Sequence, residues 1–197
     1  MRRKNTTTKK TRNQLRIIGG HWRGRKLDFP DTPGLRPTPD RVRETLFNWL
    51  TPMIRGSRCL DLFAGSGALG FEALSRGAAN VILVDSQALV IAALQKNLAL
   101  LQAKHATQLQ QSDALHALSS LDTKFDLIFL DPPYHQGLLQ PCIDAIFQQE
   151  LLSLSGYLYF ETSEDETTPT LPEAWSIHRQ KSAGQVNYYL VRHVDQG

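Results

Sequence analysis

The sequence has few cysteines, no clustered histidines and no long hydrophobic run. Its 197 residues contain two cysteines, Cys59 and Cys142, which form no CxxC pair. This excludes a disulfide scaffold and predicts a reducing, cytoplasmic environment. The six histidines are scattered, so we expect no metal site. No apolar stretch approaches the roughly 20 residues that span a bilayer, and no apolar segment follows the basic N-terminus, so we expect neither a membrane protein nor a secretory signal.

Acidic residues are absent from the first 26 positions, which contain ten Lys or Arg. The remainder of the chain carries 12 basic and 19 acidic side chains. A positive arm on an acidic body predicts a polyanionic partner, because Lys and Arg release the counterions of a polyanion. A solubilising tail is the alternative. We predict a disordered basic tail over residues 1–13, since this part has almost no apolar residues.

Strand and helix patterns alternate along the rest of the chain. A hairpin with Gly19 and Gly20 at its turn and a helix capped by Thr38 are predicted within residues 14–52. Residues 53–197 then read as one domain of alternating strands and helices that ends in a strand hairpin. This alternation predicts an α/β fold with an open, mostly parallel sheet covered by helices on both faces.

Aspartates follow four successive predicted strands, and a glycine-rich loop follows the first. Ligands of open parallel sheets bind beyond the carboxyl ends of the strands, where Asp61, Asp85, Asp113 and Asp131 are expected. The loop, residues 65–70, has the spacing GxGxxG, so a dinucleotide-binding dehydrogenase is a rival interpretation. The acidic edge opposes a pyrophosphate and favours a ligand with a cationic end, such as S-adenosylmethionine.

Four motifs make the resemblance specific: DLFAGSGALG at residues 61–70, VD at 84–85, SDA at 112–114 and DPPY at 131–134. They resemble the successive motifs of a class I methyltransferase. With the upstream RPTPDRVRETLFNWL and the HWRGRKL hairpin, the chain resembles the 16S ribosomal RNA (guanine(966)-N2)-methyltransferases. The resemblance implies a Rossmann-like, mostly parallel seven-stranded sheet with a terminal antiparallel hairpin. It also implies S-adenosylmethionine as cofactor, ribosomal RNA in the assembled 30S subunit as substrate, and a monomer.

The resemblance also implies roles for individual residues. The methionine part of the cofactor would contact the glycine loop, with Asp61 near its ammonium and Thr38 near its carboxylate. Asp85 would accept hydrogen bonds from the ribose, and Asp113 from the adenine amino group. The full cofactor set is Thr38, Asp61, Phe63, Ala64, Gly65, Gly67, Asp85, Asp113 and Ala114. The hairpin cations Arg23, Arg25 and Lys26 are the candidate RNA contacts.

The DPPY segment predicts transfer to an exocyclic amine. The amine lone pair is delocalised into the nucleobase ring, so the amine must be oriented. Asp131 can accept one N–H, and the carbonyl of Pro132, held by two rigid proline rings, can accept the other. Tyr134 offers a ring on which the base can stack. These three residues are the candidate catalytic set.

Three other functions remain as alternatives. DNA adenine-N6 methylation uses the same tetrapeptide, but the sequence shows no target-recognition domain for duplex DNA. Glutamine-directed protein methyltransferases usually carry Asn where Asp131 stands. A non-catalytic RNA-binding assembly factor would not need the acids and the DPPY segment together.

Overall fold

The computed structural model describes residues 13–32, 35 and 37–195. The strands are β1 (Asn13–Arg16), β2 (Lys26–Phe29), β3 (Arg58–Asp61), β4 (Asn80–Asp85), β5 (Thr107–Gln111), β6 (Phe125–Leu130), β7 (Leu152–Ser163), β8 (Trp175–Ala183) and β9 (Val186–His193). The helices are α1 (Asp40–Leu50), α2 (Ala68–Ser75), α3 (Ala88–Leu101), α4 (Ala114–Ser119) and α5 (Leu139–Gln148). No helix in the described ranges is both long and apolar enough to cross a membrane.

The seven strands β3–β9 form one sheet in the order β5-β4-β3-β6-β7-β9-β8. The first five in this order run parallel, and β9 pairs antiparallel with both β7 and β8. The predicted fold, a mostly parallel seven-stranded sheet with a terminal antiparallel hairpin, is therefore confirmed. The apolar run of β6 is buried between helices on both sides, as expected of a central parallel strand.

The sheet order reverses direction between β3 and β6. After β3 the chain moves outward to β4 and β5, and it then returns to place β6 on the other side of β3. Such a reversal opens a crevice at the carboxyl ends of the strands, where ligands of α/β proteins bind. We call this edge the rim; it is defined by Asp61, Asp85, Asp113 and Asp131, which end or directly follow four adjacent strands.

The N-terminal hairpin and α1 share the core of the sheet. Leu15, Leu27 and Phe47 are fully buried with residues of α2 and the central strands. Phe47 packs against Phe129 of β6, with 6.1 Å between ring centroids. The boundary expected at residue 52 stays a prediction. Of the expected tail, residues 1–12 lie outside the described part of the chain.

A buried arginine joins α1 to α2. Arg43 is 1% exposed and contacts Glu72, which is fully buried, at 3.4 Å. Its guanidinium also donates to the backbone oxygens of Thr38 and Arg16 and to the Asp40 carboxylate. These partners lie on β1, on α2, in α1 itself and in the segment before α1. Arg43 therefore fixes how the N-terminal segment lies against the sheet.

The start of α1 differs from the sequence-based expectation. Thr38 was expected to cap the helix. The helix instead begins at Asp40 after Pro39, and no side chain caps it. The prediction was wrong because the Thr38 hydroxyl has another partner, Asp131.

Candidate active site

The glycine loop between β3 and α2 has the backbone geometry that glycine allows. Gly65 and Gly67 have φ of +49° and +79°, a region that side chains strain. A Cβ on Gly70 would lie 2.2 Å from Leu83, so this glycine permits close packing of α2 on β4. The spacing GxGxxG therefore has a structural reason at each glycine, and it brings the amides at the start of α2 to the rim.

Asp61 holds the glycine loop through a hydrogen bond to its backbone. It is 2% exposed, and its Oδ2 accepts a 2.9 Å hydrogen bond from the Gly70 amide. Burial, together with the charges of Asp131 and Asp85, raises the pKa of Asp61 to about 7. A cation bound at the rim would favour the ionised form. The expected contact with an ammonium group stays a prediction, since Asp61 is enclosed by the loop itself.

Asp85 ends β4 and holds the other side of the loop. Its Oδ2 accepts from the Gly65 amide at 3.0 Å, and its Oδ1 accepts from the Gln87 amide at 2.8 Å. Burial raises its pKa. Each carboxylate oxygen can accept a further hydrogen bond, so Asp85 can both hold the loop and bind hydroxyl groups.

Asp113 follows β5 and caps α4. Its Oδ1 accepts from the His116 amide at 2.9 Å, while the side chain is exposed. The neighbouring Ser112 hydroxyl is buried and has no hydrogen-bond partner among the described residues. A buried polar atom without a partner is costly. An ordered water or a polar atom of a bound ligand would satisfy this hydroxyl, which lies beside Asp113 and the buried Ala114.

Asp131 directly follows β6 and is partly buried. Its Oδ2 accepts a hydrogen bond from the Thr38 hydroxyl at 3.3 Å. Burial raises the pKa of Asp131 to about 6, against the opposing effect of the Thr38 hydrogen bond. Thr38 thus lies at the predicted catalytic carboxylate, and its expected place beside a cofactor carboxylate stays a prediction.

The prolines after Asp131 leave a carbonyl free. Among the described residues, no hydrogen bond uses the carbonyl of Pro132. Pro132 is buried and Pro133 exposed, and Tyr134 is half-buried. The two predicted acceptors, the Asp131 carboxylate and the Pro132 carbonyl, therefore belong to consecutive residues. Among the described residues, no other group occupies the carbonyl.

Glu161 is a site residue that the sequence reading missed. It lies on β7, is 3% exposed, and accepts from the Tyr159 hydroxyl at 2.6 Å and the Tyr134 hydroxyl at 3.3 Å. Burial, and then the charge of Asp131, raise the pKa of Glu161 to about 8. Burial therefore favours the protonated form more strongly at Glu161 than at Asp131. An acid near the end of a fifth parallel strand was the available sequence signal.

A cavity of about 300 Å³ opens beside these groups. It is lined by residues 132–134 after β6, residues 137–140 at the start of α5, and residues 161–162 and 166–170 around the end of β7. The Thr162 hydroxyl is buried without a partner among the described residues. Glu166 joins two of these segments, accepting from the amides of His135 and Ser163. The cavity is bounded by Pro132 and Tyr134, which follow Asp131 in the chain, and by Glu161, so it adjoins the candidate catalytic groups.

The hairpin cations lie away from the rim. Arg23, Arg25 and Lys26 are exposed. The preceding turn packs on the last residues of α2, where the Trp22 amide donates to the Ser75 hydroxyl. The glycine loop is at the opposite end of α2, about 12 Å away for eight residues. The role of these cations in RNA binding stays a prediction. If they bind RNA, they contact a part of it that is distant from Asp131.

Three comparisons place these features among known proteins. The family model described as conserved hypothetical protein 95 matches residues 15–192. Ribosomal RNA small subunit methyltransferase D of Escherichia coli K12 is 50% identical over 93% of this chain and 92% of its own, and the protein of that name in Haemophilus influenzae is 43% identical over 95% and 98%. A solved Escherichia coli methyltransferase structure aligns with a TM-score of 0.85 at 46% identity, covering 92% of this chain and 98% of that one.

Proposed function

Since the chain belongs to the conserved hypothetical protein 95 family of class I methyltransferases, we propose that it methylates the exocyclic N2 amine of a guanine in 16S ribosomal RNA, with S-adenosylmethionine as methyl donor. The observation that carries the proposal is the position of Asp131. Its carboxylate directly follows β6, near the acid-rich glycine loop, and immediately precedes Pro132, which has a free carbonyl and lines the cavity.

The rim fits the proposed cofactor. A ligand with an ammonium and a sulfonium suits an edge that carries four carboxylates. Asp85 would accept from ribose hydroxyls, and Asp113 with the unpartnered Ser112 hydroxyl would hold the adenine. Gly65 and Gly67 present backbone rather than side chains to the methionine part. When bound, S-adenosylmethionine supplies an electrophilic methyl group on sulfur.

Asp131 and Pro132 would orient the amine. The carboxylate accepts one N–H and the Pro132 carbonyl the other, which directs the nitrogen lone pair toward the methyl carbon. Positive charge would grow on the nitrogen as it takes the methyl group, and the Asp131 carboxylate would stabilise that charge. The methylated aminium is acidic and releases its proton afterward, so no strong base is required before transfer.

Glu161 sets the charge state around Asp131. Two ionised carboxylates in one buried site repel each other, so one of them retains a proton. Glu161 is the more buried of the two and has the higher pKa. The negative charge therefore stays on Asp131, where the amine arrives. The Glu161–Tyr134 hydrogen bond also holds the tyrosine ring against the cavity.

The choice of guanine N2 in the 30S subunit rests on the family. The relatives named above carry the name of small-subunit ribosomal RNA methyltransferases. The chain itself adds ten cations and no acid within its first 26 residues, which suits an RNA partner. Its described strands form the seven-stranded sheet and the two-stranded N-terminal hairpin, and neither is a separate unit for reading duplex DNA.

A methyl-transfer assay on defined nucleic acids tests the proposal. The protein is incubated with S-adenosylmethionine labelled on its methyl group and with 30S subunits, free 16S ribosomal RNA or duplex DNA, all prepared without prior methylation. Digestion to nucleosides then identifies the labelled product. We expect N2-methylguanosine, with 30S subunits the best substrate. Label in N6-methyladenosine, or no label in any nucleic acid despite cofactor binding, would refute it.

A further inference from the structure

The last two strands at one edge of the seven-stranded sheet, β9 and β8, carry cations that have no ion-pair partner among the described residues. Arg179 and Lys181 of β8 are exposed, and Arg192 of β9 is partly exposed. Among the described residues, none of the three forms an ion pair. We call Arg179, Lys181 and Arg192 the edge patch.

Strand register places the edge patch on the same face as the catalytic carboxylates. In the β7-β9-β8 ladder, Glu161 pairs with Tyr188, which pairs with Lys181. Directly opposed residues in antiparallel strands point to the same face, so Lys181 and Glu161 share a face. The two residues are two strands apart, which corresponds to about 10 Å. Lys181 therefore stands at the rim, on the face that α1 covers through the contact of Trp49 with Tyr188.

The other two cations continue along the same face, away from the rim and toward the amino end of β7. Arg179 pairs with Leu190, which pairs with Tyr159, and Arg192 pairs with Tyr157. The register shift between Ile177 and Arg179 inserts His178 between the rows. The pKa of His178 is lowered by burial and then by the charges of Arg192 and Arg179, so these groups share one positive field.

Protection of the sheet edge does not account for all three cations. Lysines on an edge strand discourage pairing with another chain, which would suffice for Lys181. Arg192, however, lies on β9, which is paired on both sides. A charge on an interior strand cannot block an edge, and it remains without a carboxylate partner among the described residues.

We propose that the edge patch binds the phosphate backbone of the RNA next to the target nucleotide. The inference rests on the proposed function, since it takes the cavity beside Asp131 as the base site. The cavity opens at Glu161 and Thr162, consecutive strand residues that point to opposite faces, so an RNA strand leaving it can cross the end of β7 toward Lys181. Lys181 is the nearest cation of the patch, and about 10 Å corresponds to about three base steps of a strand. The hairpin cations, at the far end of α2, would reach a different part of the RNA.

Direct RNA binding with matched charge variants tests this inference. The double variant Arg179→Gln/Lys181→Gln removes two exposed charges from the edge patch. Lys96→Gln/Lys104→Gln removes two exposed charges near β5, at the opposite edge of the sheet. Dissociation constants for a 16S ribosomal RNA fragment containing the target are measured between 50 and 200 mM salt, with cofactor affinity and thermal midpoint as checks on folding.

We expect the edge variant to bind RNA about tenfold more weakly and to lose roughly 1.5 from the slope of log Kd against log salt, whereas the control variant keeps the native slope. Arg179→Lys/Lys181→Arg should restore native binding, because it preserves both charges. Equal slopes for the edge variant and the control would overturn the inference. A failure of the proposed function would appear differently, as absent guanine methylation by a native protein that still binds RNA.

Discussion

The hydroxyl of Thr38 donates a 3.3 Å hydrogen bond to Oδ2 of Asp131, so the segment before α1 contacts the carboxylate that ends β6. Arg43 holds that segment through the carbonyl of Thr38 and is itself anchored on the buried Glu72. The N-terminal region therefore supports the catalytic group as well as any RNA contact it makes.

Thr38→Val should move the acidic limb of the plot of turnover rate against pH to higher pH. The hydrogen bond stabilises the ionised carboxylate and lowers the pKa of Asp131, which burial raises to about 6. Without it the pKa rises further, by up to about one unit for a bond worth about 1.4 kcal/mol. The turnover rate measured from pH 5 to 8 should then fall at a higher pH. Thr45→Val, on the exposed side of α1, should leave the profile unchanged; a native profile in Thr38→Val would remove this role.

Cofactor affinity should weaken as pH falls below about 7. Burial raises the pKa of Asp61 to that value, and a cationic ligand binds the ionised form. Protonation of Asp61 thus competes with cofactor binding at low pH. The Asp61→Asn variant should bind S-adenosylmethionine weakly, and its affinity should depend little on pH. Calorimetric titration with S-adenosylmethionine from pH 5.5 to 8.5 measures this. Asp122→Asn is an exposed control, and a pH-independent native affinity would argue against a charged Asp61 in binding.

Arg43→Met should destabilise the fold strongly. Removing Arg43 leaves the buried Glu72 with Arg76, at 2.8 Å, as its remaining cationic partner, so the cost should be about 3 kcal/mol, the low end of the range for a broken buried pair. The free energy of unfolding in urea should fall by this amount, whereas Arg41→Met, an exposed change two residues away, should alter it by less than about 0.5 kcal/mol. The double variant Arg43→Met/Glu72→Met should recover part of the loss. Similar stability for both single variants would contradict this view of the pair.

Glu161→Gln should become more stabilising as pH rises. The folded pKa of Glu161, about 8, is above its ordinary value of 4.5, so folding favours the protonated form. The native protein therefore loses stability through this group as pH increases from about 4.5 to 8, while glutamine does not titrate. Denaturant unfolding at pH 5 and pH 8.5 compares the two. Glu44→Gln, which is exposed, should show no such trend, and parallel pH dependence for Glu161→Gln and the native protein would refute the assignment.

The sequence predicted the fold and most of the rim because both follow from local patterns. An acid that ends or follows a buried strand is visible in one segment, and the four rim aspartates were identified this way. Glu161 was missed because it lies within β7, before the strand ends at Ser163. The Arg43–Glu72 pair joins residues 29 positions apart, and the edge patch depends on the register of β8 and its irregularity at His178. Neither is encoded in a short pattern.

The central claim is that Asp131 aligns an amine and stabilises the charge that grows on it. Single-turnover methylation of the RNA substrate by Asp131→Asn and Asp131→Ala, with cofactor affinity measured in parallel, tests this most directly. Alanine removes an oriented acceptor and should slow transfer by roughly a hundredfold or more, with cofactor binding nearly unchanged. Asparagine keeps an accepting oxygen without the charge, so its rate should lie between those of alanine and the native protein. A near-native rate in Asp131→Ala would contradict the mechanism.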